Sequence, residues 1–242
     1  MSTTICFDFG NTRKKAAVFV NGEISKVLTL EDDANATVES LMNTYRPDRS
    51  ILSSVIDHNP DMEAILKRNT RFHLLNHNSK LPITSPAAKP ETIGADRLAI
   101  AAGGVHLFPG KNLLLIGLGT CITINFINKY KEFIGGSISP GLEIRLRSLQ
   151  YYTAKLPYVA PKADVPLIGY DTDTNILTGI ILGMAYELDG FIDAYKAKFD
   201  NFNVVLTGGD VQHLASHIKN RIFADPDLIF KGLYAISEIN NA

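Results

Sequence analysis

Asp8 ends an apolar run, and Gly10-Asn11-Thr12 turn the chain immediately after it. Glycine lets a backbone approach a ligand closely, and Asn and Thr side chains beside free amides suit phosphate oxygens. A carboxylate repels phosphate, but it can hold a divalent cation that bridges phosphates, for magnesium usually through water. Asp8 with this turn therefore reads as a metal–phosphate site. A hairpin whose Asp merely caps the turn is the other reading, and the motif alone leaves both open. A second apolar run ends in Gly117-Leu118-Gly119-Thr120, which suits the other end of a phosphate chain. A third ends in Thr207-Gly208-Gly209-Asp210, where paired glycines would let adenine or ribose lie flat on the backbone. One glycine turn is a weak signal; three in this order, each after an apolar strand, form a stronger one.

Repeated strand and helix signals must position these turns. Strands are predicted at 3–8, 15–20 and 23–30, the last two a hairpin around Asn21-Gly22, a pair suited to positive φ. Further strands fit 50–55, 72–76, 113–117, 121–127, 131–138 and 203–209. Helices fit 35–45, 60–68, 95–107, from Pro140-Gly141 to about 154, 175–198 and 210–220, with a last one near the end of the chain. The segments 79–94, carrying Pro82, Pro86 and Pro90, and 155–174 read as long loops. Strands alternating with helices predict an α/β architecture. The three-strand opening recurs from Leu113, so two like halves are expected, 1–110 and 111–242, facing each other across a cleft.

The 242 residues, 45% hydrophobic and 20% charged, suffice for a buried core. A net charge of −1 gives no reason to expect nucleic acid as a partner. No run of about 18 apolar residues stands out, so no membrane span is expected, and "MSTTICFDFG" lacks the pattern of a signal peptide. Cys6 and Cys121 lie in apolar runs and read as buried free thiols. A soluble, cytoplasmic protein is the expectation.

The ordered turns resemble those of the acetate and sugar kinase/Hsp70/actin superfamily, and within it the type III pantothenate kinases. The resemblance rests on Asp8-Phe9-Gly10-Asn11-Thr12, Gly94-Ala95-Asp96-Arg97, Gly117-Leu118-Gly119-Thr120, Gly135-Gly136-Ser137-Ile138-Ser139-Pro140-Gly141 and Thr207-Gly208-Gly209, with support from "SSV" at 53–55, "AKLP" at 154–157, "DTDTNILTGI" at 171–180 and "DPDLIFKGL" at 225–233. It implies two ribonuclease-H-like (actin-like ATPase) domains around a nucleotide cleft. The implied reaction takes ATP and pantothenate to ADP and 4′-phosphopantothenate, opening coenzyme A biosynthesis. It implies that Asp8, Gly10, Asn11, Thr12, Gly119, Thr120, Gly208 and Gly209 bind ATP and its phosphates. Asp8 would also hold Mg2+ or another divalent cation. On its own Asp96 reads first as an acidic residue favoured at a helix N-terminus; with the resemblance it becomes the base that takes the hydroxyl proton. Arg97 would grip the pantothenate carboxylate through two parallel hydrogen bonds, its other reading being a surface or bridging arginine. Gly94, Ala95 and Thr172 would complete the pocket, Thr172 across a homodimer interface. A monovalent cation such as K+ or NH4+ is also implied. The family normally has Asp where this chain has Gly117, and commonly another where it has Asn125. An alternative follows from that departure: a kinase fold kept for binding or regulation, with weak or no catalysis.

Overall fold

A computed structural model describes residues 2–85 and 90–241. Positions 86–89 of the expected proline-bearing loop lie outside the described residues. The chain divides into two compact units: Met1–Pro109 with Lys131–Phe133 and Leu228–Ala242, and Gly110–Tyr130 with Ile134–Asp227.

The first unit holds a five-stranded sheet in the order β3-β2-β1-β4-β5, from β1 (Thr3–Phe9), β2 (Lys14–Val20), β3 (Glu23–Leu30), β4 (Arg49–Ser54) and β5 (Arg71–Leu74). β1, β2 and β3 run antiparallel, while β4 lies parallel to β1 and β5 parallel to β4. The β2–β3 turn takes positive φ at both Asn21 (51°) and Gly22 (90°), the geometry that favours Asn-Gly. Side chains alternate across the sheet. Ile5, Phe7, Phe9, Ala16, Val18 and Leu52 pack under the helices α1 (Asn35–Tyr45) and α2 (Pro60–Asn69). Cys6, Ala17, Phe19 and Ile51 face α3 (Ala95–Leu107) and the last helix.

The second unit repeats this plan. β6 (Asn112–Leu118), β7 (Cys121–Ile127), β8 (Phe133–Pro140), β9 (Phe202–Thr207) and β10 (Phe223–Ala224) order as β10-β9-β6-β7-β8. β6 and β7 are antiparallel, and β9 and β10 add in parallel. Alternate residues of β6, β7 and β9 bury against the helices α4 (Leu142–Tyr152) and α5 (Thr172–Lys198). By length and composition α5 could cross a membrane, but half of its most apolar window is buried and Ile181, Met184 and Leu188 are fully enclosed in this core.

Three elements differ from the sequence reading. The helix expected at 210–220 is a single turn, α6 (Val211–Leu214), followed by a 3-10 turn at Ala215–His217. The Asp189 carboxylate on α5 accepts the backbone N–H groups of Lys219 (3.0 Å) and Asn220 (3.1 Å), which draws the chain out of a helical path. The strand expected from 131 begins at Phe133, because Lys131 takes a left-handed φ of 66°. Finally, the division expected at 110/111 assigned everything beyond it to one half, whereas α7 (Leu228–Asn240) belongs to the first unit. The cause is glycine at the crossing with α3: a Cβ on Gly232 would stand 1.8 Å from the Ala99 carbonyl oxygen, and one on Gly103 2.4 Å from that of Leu228.

Candidate active site

Asp8 is the penultimate residue of β1. Its register partners are Lys15 on β2 and Ser53 on β4. Asp8, Lys15 and Ser53 each lie two residues from a member of the α3-facing core (Cys6, Ala17 and Ile51). Strand alternation therefore sets all three in one row on the α3 side.

Asp96 comes to this row as the second residue of α3. Its carboxylate accepts the backbone N–H of Arg97 and its own. Gly94 makes this possible, since a Cβ there would stand 2.5 Å from Asp96 Oδ1. Burial raises the pKa of Asp96 above the usual carboxylate value. Asp8 is pushed from 3.8 to about 7, mainly by burial and then by the charge of Asp96, with Lys15 opposing. Two carboxylates whose charges oppose each other in a partly buried place form an arrangement that a cation or a proton relieves. Among the described residues no cluster of three or more His, Cys, Asp or Glu could hold a metal.

Beyond Asp8 the Gly10 N–H donates to the Arg13 carbonyl at 3.1 Å, and Asn11 and Thr12 stand exposed at the tip of that turn. Arg97 places its guanidinium 5.4 Å from the centre of the Phe133 ring. Burial draws its pKa down and Asp96 pulls it back up. Ala95 packs on the α3–α7 core.

In the second unit the glycine turns meet as backbone. Gly208, at φ 103°, lies so close to the second turn that a Cβ would stand 2.3 Å from the Leu118 carbonyl oxygen. The Asp210 N–H donates to that same oxygen at 3.2 Å. On the other side the Gly141 N–H donates to the Thr120 carbonyl at 3.0 Å. Gly119 and Gly209 remain exposed, so the result is a side-chain-poor surface of the kind a nucleotide can approach. Gly117 is buried between Thr123 on β7 and Thr207 on β9. Asn125, also buried, donates Nδ2 to the Leu115 carbonyl at 3.2 Å and to Thr123 Oγ1 at 3.5 Å. Thr172 is exposed at the start of α5, beside the N-capping Asp171, whose carboxylate accepts the Thr174 N–H at 2.8 Å.

The first unit thus joins Asp8 with Asp96 and Arg97, and the second joins Gly119 and Thr120 with Gly208 and Gly209. Sequence reasoning missed Lys15 and Phe133, and named Ser53 only within the supporting "SSV" stretch, without a place in the site. Lys15 and Ser53 were reachable by counting in twos from Asp8 through its strand neighbours. Phe133 was not, because nothing local ties it to Arg97.

Residues 4–194 match the type III pantothenate kinase family. A type III pantothenate kinase of Christiangramia forsetii is 42% identical over 98% of both chains. One of Flavobacterium johnsoniae is 37% identical over 93% of both. Among solved structures, a conserved Campylobacter jejuni protein assigned to a Baf family of transcriptional activators superposes with a TM-score of 0.61 at 21% identity, covering 98% of both chains. The inorganic polyphosphate/ATP-glucomannokinase of an Arthrobacter strain does so at 0.50 and 13% identity, over 99% of this chain and 98% of its own. At such identities these two structures speak for the fold alone.

Proposed function

This chain belongs to the type III pantothenate kinase family, and from that premise we propose how its residues divide the work. The protein is an ATP-dependent phosphotransferase that passes the γ-phosphoryl group of ATP to pantothenate, giving 4′-phosphopantothenate at the first step of coenzyme A biosynthesis. Nothing in the relatives favours a kinase fold that has lost catalysis.

Asp96 takes the proton of the pantothenate hydroxyl as the phosphoryl group leaves ATP. Asp8 would hold a divalent cation, Mg2+ in the first instance, through its carboxylate. When bound, that ion neutralises the charge on the phosphate oxygens. The turn of Gly10, Asn11 and Thr12 receives phosphate oxygens through the exposed Asn11 and Thr12, with Gly10 letting the backbone come close, Gly119 and Thr120 receive the other end of the phosphate chain, and Gly208 and Gly209 carry the adenosine. Arg97 grips the pantothenate carboxylate beside Gly94 and Ala95. A monovalent cation, K+ or NH4+, belongs with the phosphates.

The protein works as a homodimer, with Thr172 of one copy completing the pocket of the other. The support is a set of exposed apolar side chains in the residues before Thr172: Tyr151, Tyr152, Leu167, Ile168 and Tyr170 are each 72–81% exposed, and apolar surface left open on one chain suits burial by another. Its place is the cytoplasm, in keeping with its use of ATP and with two free cysteines.

The observation that carries this reading is Asp96, held at the start of α3 on the same face of the sheet as Asp8. The test is ADP formation by the purified protein with Mg2+ and ATP, offered pantothenate, pantetheine and simple sugars in turn. Pantothenate-dependent ADP release is expected, and turnover with sugars but not pantothenate would overturn the assignment of the acceptor.

A further inference from the structure

Ser53 carries an unexplained hydroxyl. The residue is fully buried, and its Oγ is sealed from solvent without a hydrogen-bond partner. The other two serines of β4 are bonded: Ser50 shares a 2.6 Å hydrogen bond with Thr70, and Ser54 donates to the Ile56 carbonyl at 2.8 Å. A buried hydroxyl left unpaired costs free energy, and such atoms are uncommon in folded proteins. This one stands beside Asp8, its register partner across the parallel β1–β4 pair and on the same face of the sheet.

Parallel neighbours run about 4.8 Å apart, and a serine side chain has three staggered positions open to it. Rotation about one bond turns Oγ toward one or another side of β4, the Asp8 side among them. The influences acting on Asp8 are burial and the charges of Asp96 and Lys15, with no hydrogen bond among them. A carboxylate that binds a metal is normally held by a donor behind it, which fixes its orientation.

We propose that Ser53 is a positioning residue for Asp8: its hydroxyl donates to the Asp8 carboxylate when that carboxylate holds a divalent cation. The inference rests on the metal role assigned to Asp8 above. Ser53 touches neither substrate nor phosphate in this account. It fixes which carboxylate oxygen faces the cation, and its own hydrogen bond is completed only in that state.

This origin gives Ser53→Ala an unusual pair of signs. In the ligand-free protein the substitution removes an unpaired polar group, so the melting temperature stays level or rises. Cation binding weakens in the same variant. The experiment titrates Mn2+ into the full-length protein saturated with ADP, reading the loss of the free-ion paramagnetic resonance signal against a protein-free ADP control. Ser53→Ala is expected to raise the half-saturating Mn2+ concentration roughly two- to tenfold, the range of one hydrogen bond, and Asp8→Asn is expected to raise it further. A lowered melting temperature for ligand-free Ser53→Ala would overturn the proposal, because the hydroxyl would already be serving the fold. So would unchanged Mn2+ binding by Ser53→Ala while Asp8→Asn binds weakly. If Asp8→Asn itself binds Mn2+ normally, the metal role of Asp8 fails first and the proposal falls with it.

Discussion

The charge of Asp96, at the first turn of α3, reaches Asp8 near the end of β1 and helps hold that carboxylate at a pKa of about 7. Two acids are thus set near each other with different surroundings. Asp96 is fastened by backbone N–H groups and stays where the helix puts it. Asp8 has burial and a like charge against it, with Lys15 opposing them, so a cation placed beside it would relieve the site. Different environments for paired carboxylates are how one site assigns different tasks to chemically similar groups.

Replacing Asp8 by Asn keeps the shape and removes the charge. The protein should fold, and turnover at saturating substrates should fall at least ~100-fold, beyond the 10- to 100-fold typical of groups one step removed from a metal. Initial rates across a magnesium series provide the check. Full activity at every magnesium concentration would remove the metal role.

The same carboxylate makes the ligand-free protein sensitive to pH. Its folded pKa of about 7 lies above the ordinary 3.8. Between those values the unfolded chain has released the proton that the folded chain keeps. Stability from this group is therefore fully present below about pH 4 and is lost as pH rises through 7, with a slope of up to about 1.4 kcal/mol per pH unit. Denaturant titrations of ligand-free protein from pH 5 to 8 should show that decline, and Asp8→Asn should flatten it. An equal slope in both proteins would mean that Asp8 is ordinarily ionised.

Arg97→Ala should raise KM for pantothenate at least ~10-fold and leave KM for ATP within about twofold, because it loses a charge-assisted pair with a carboxylate and no phosphate contact. Steady-state kinetics in both substrates decide it. Equal effects on the two would instead give Arg97 a structural role, through its packing on Phe133.

Much of this was legible in the sequence, and the limits have physical causes. Asn21-Gly22 announced its hairpin because few other residue pairs tolerate positive φ twice. The repeat of the three-strand opening at Leu113 foretold that the second sheet would copy the first. The short α6 was not legible: Asp189, far away in sequence, interrupts what local propensity would have continued. Nor was the return of α7 to the first unit, which depends on Gly103 and Gly232 meeting across a helix crossing. Within the site, Asp8 and Asp96 could be named from their motifs, but their mutual influence depends on which face of the sheet α3 covers.

The exposed aromatic and aliphatic residues from Tyr151 to Tyr170 should be covered in solution. Light scattering at micromolar concentration should give twice the 26.5 kDa of one chain. The double variant Tyr152→Asp, Ile168→Asp should shift the protein toward monomer and lose pantothenate turnover with it. A wild-type protein that is monomeric yet fully active would remove the shared pocket.

The most direct test of the whole account is Asp96→Asn. The amide keeps the size of the side chain and can still hydrogen-bond, but it cannot take a proton. With folding, dimer formation and ATP binding checked, the account predicts that kcat for pantothenate phosphorylation falls by roughly two to four powers of ten, with KM for ATP nearly unchanged. Lost orientation of the hydroxyl would contribute to the same fall, since positioning dominates phosphoryl transfer. A folded, dimeric Asp96→Asn protein that phosphorylates pantothenate at the wild-type rate would contradict the account.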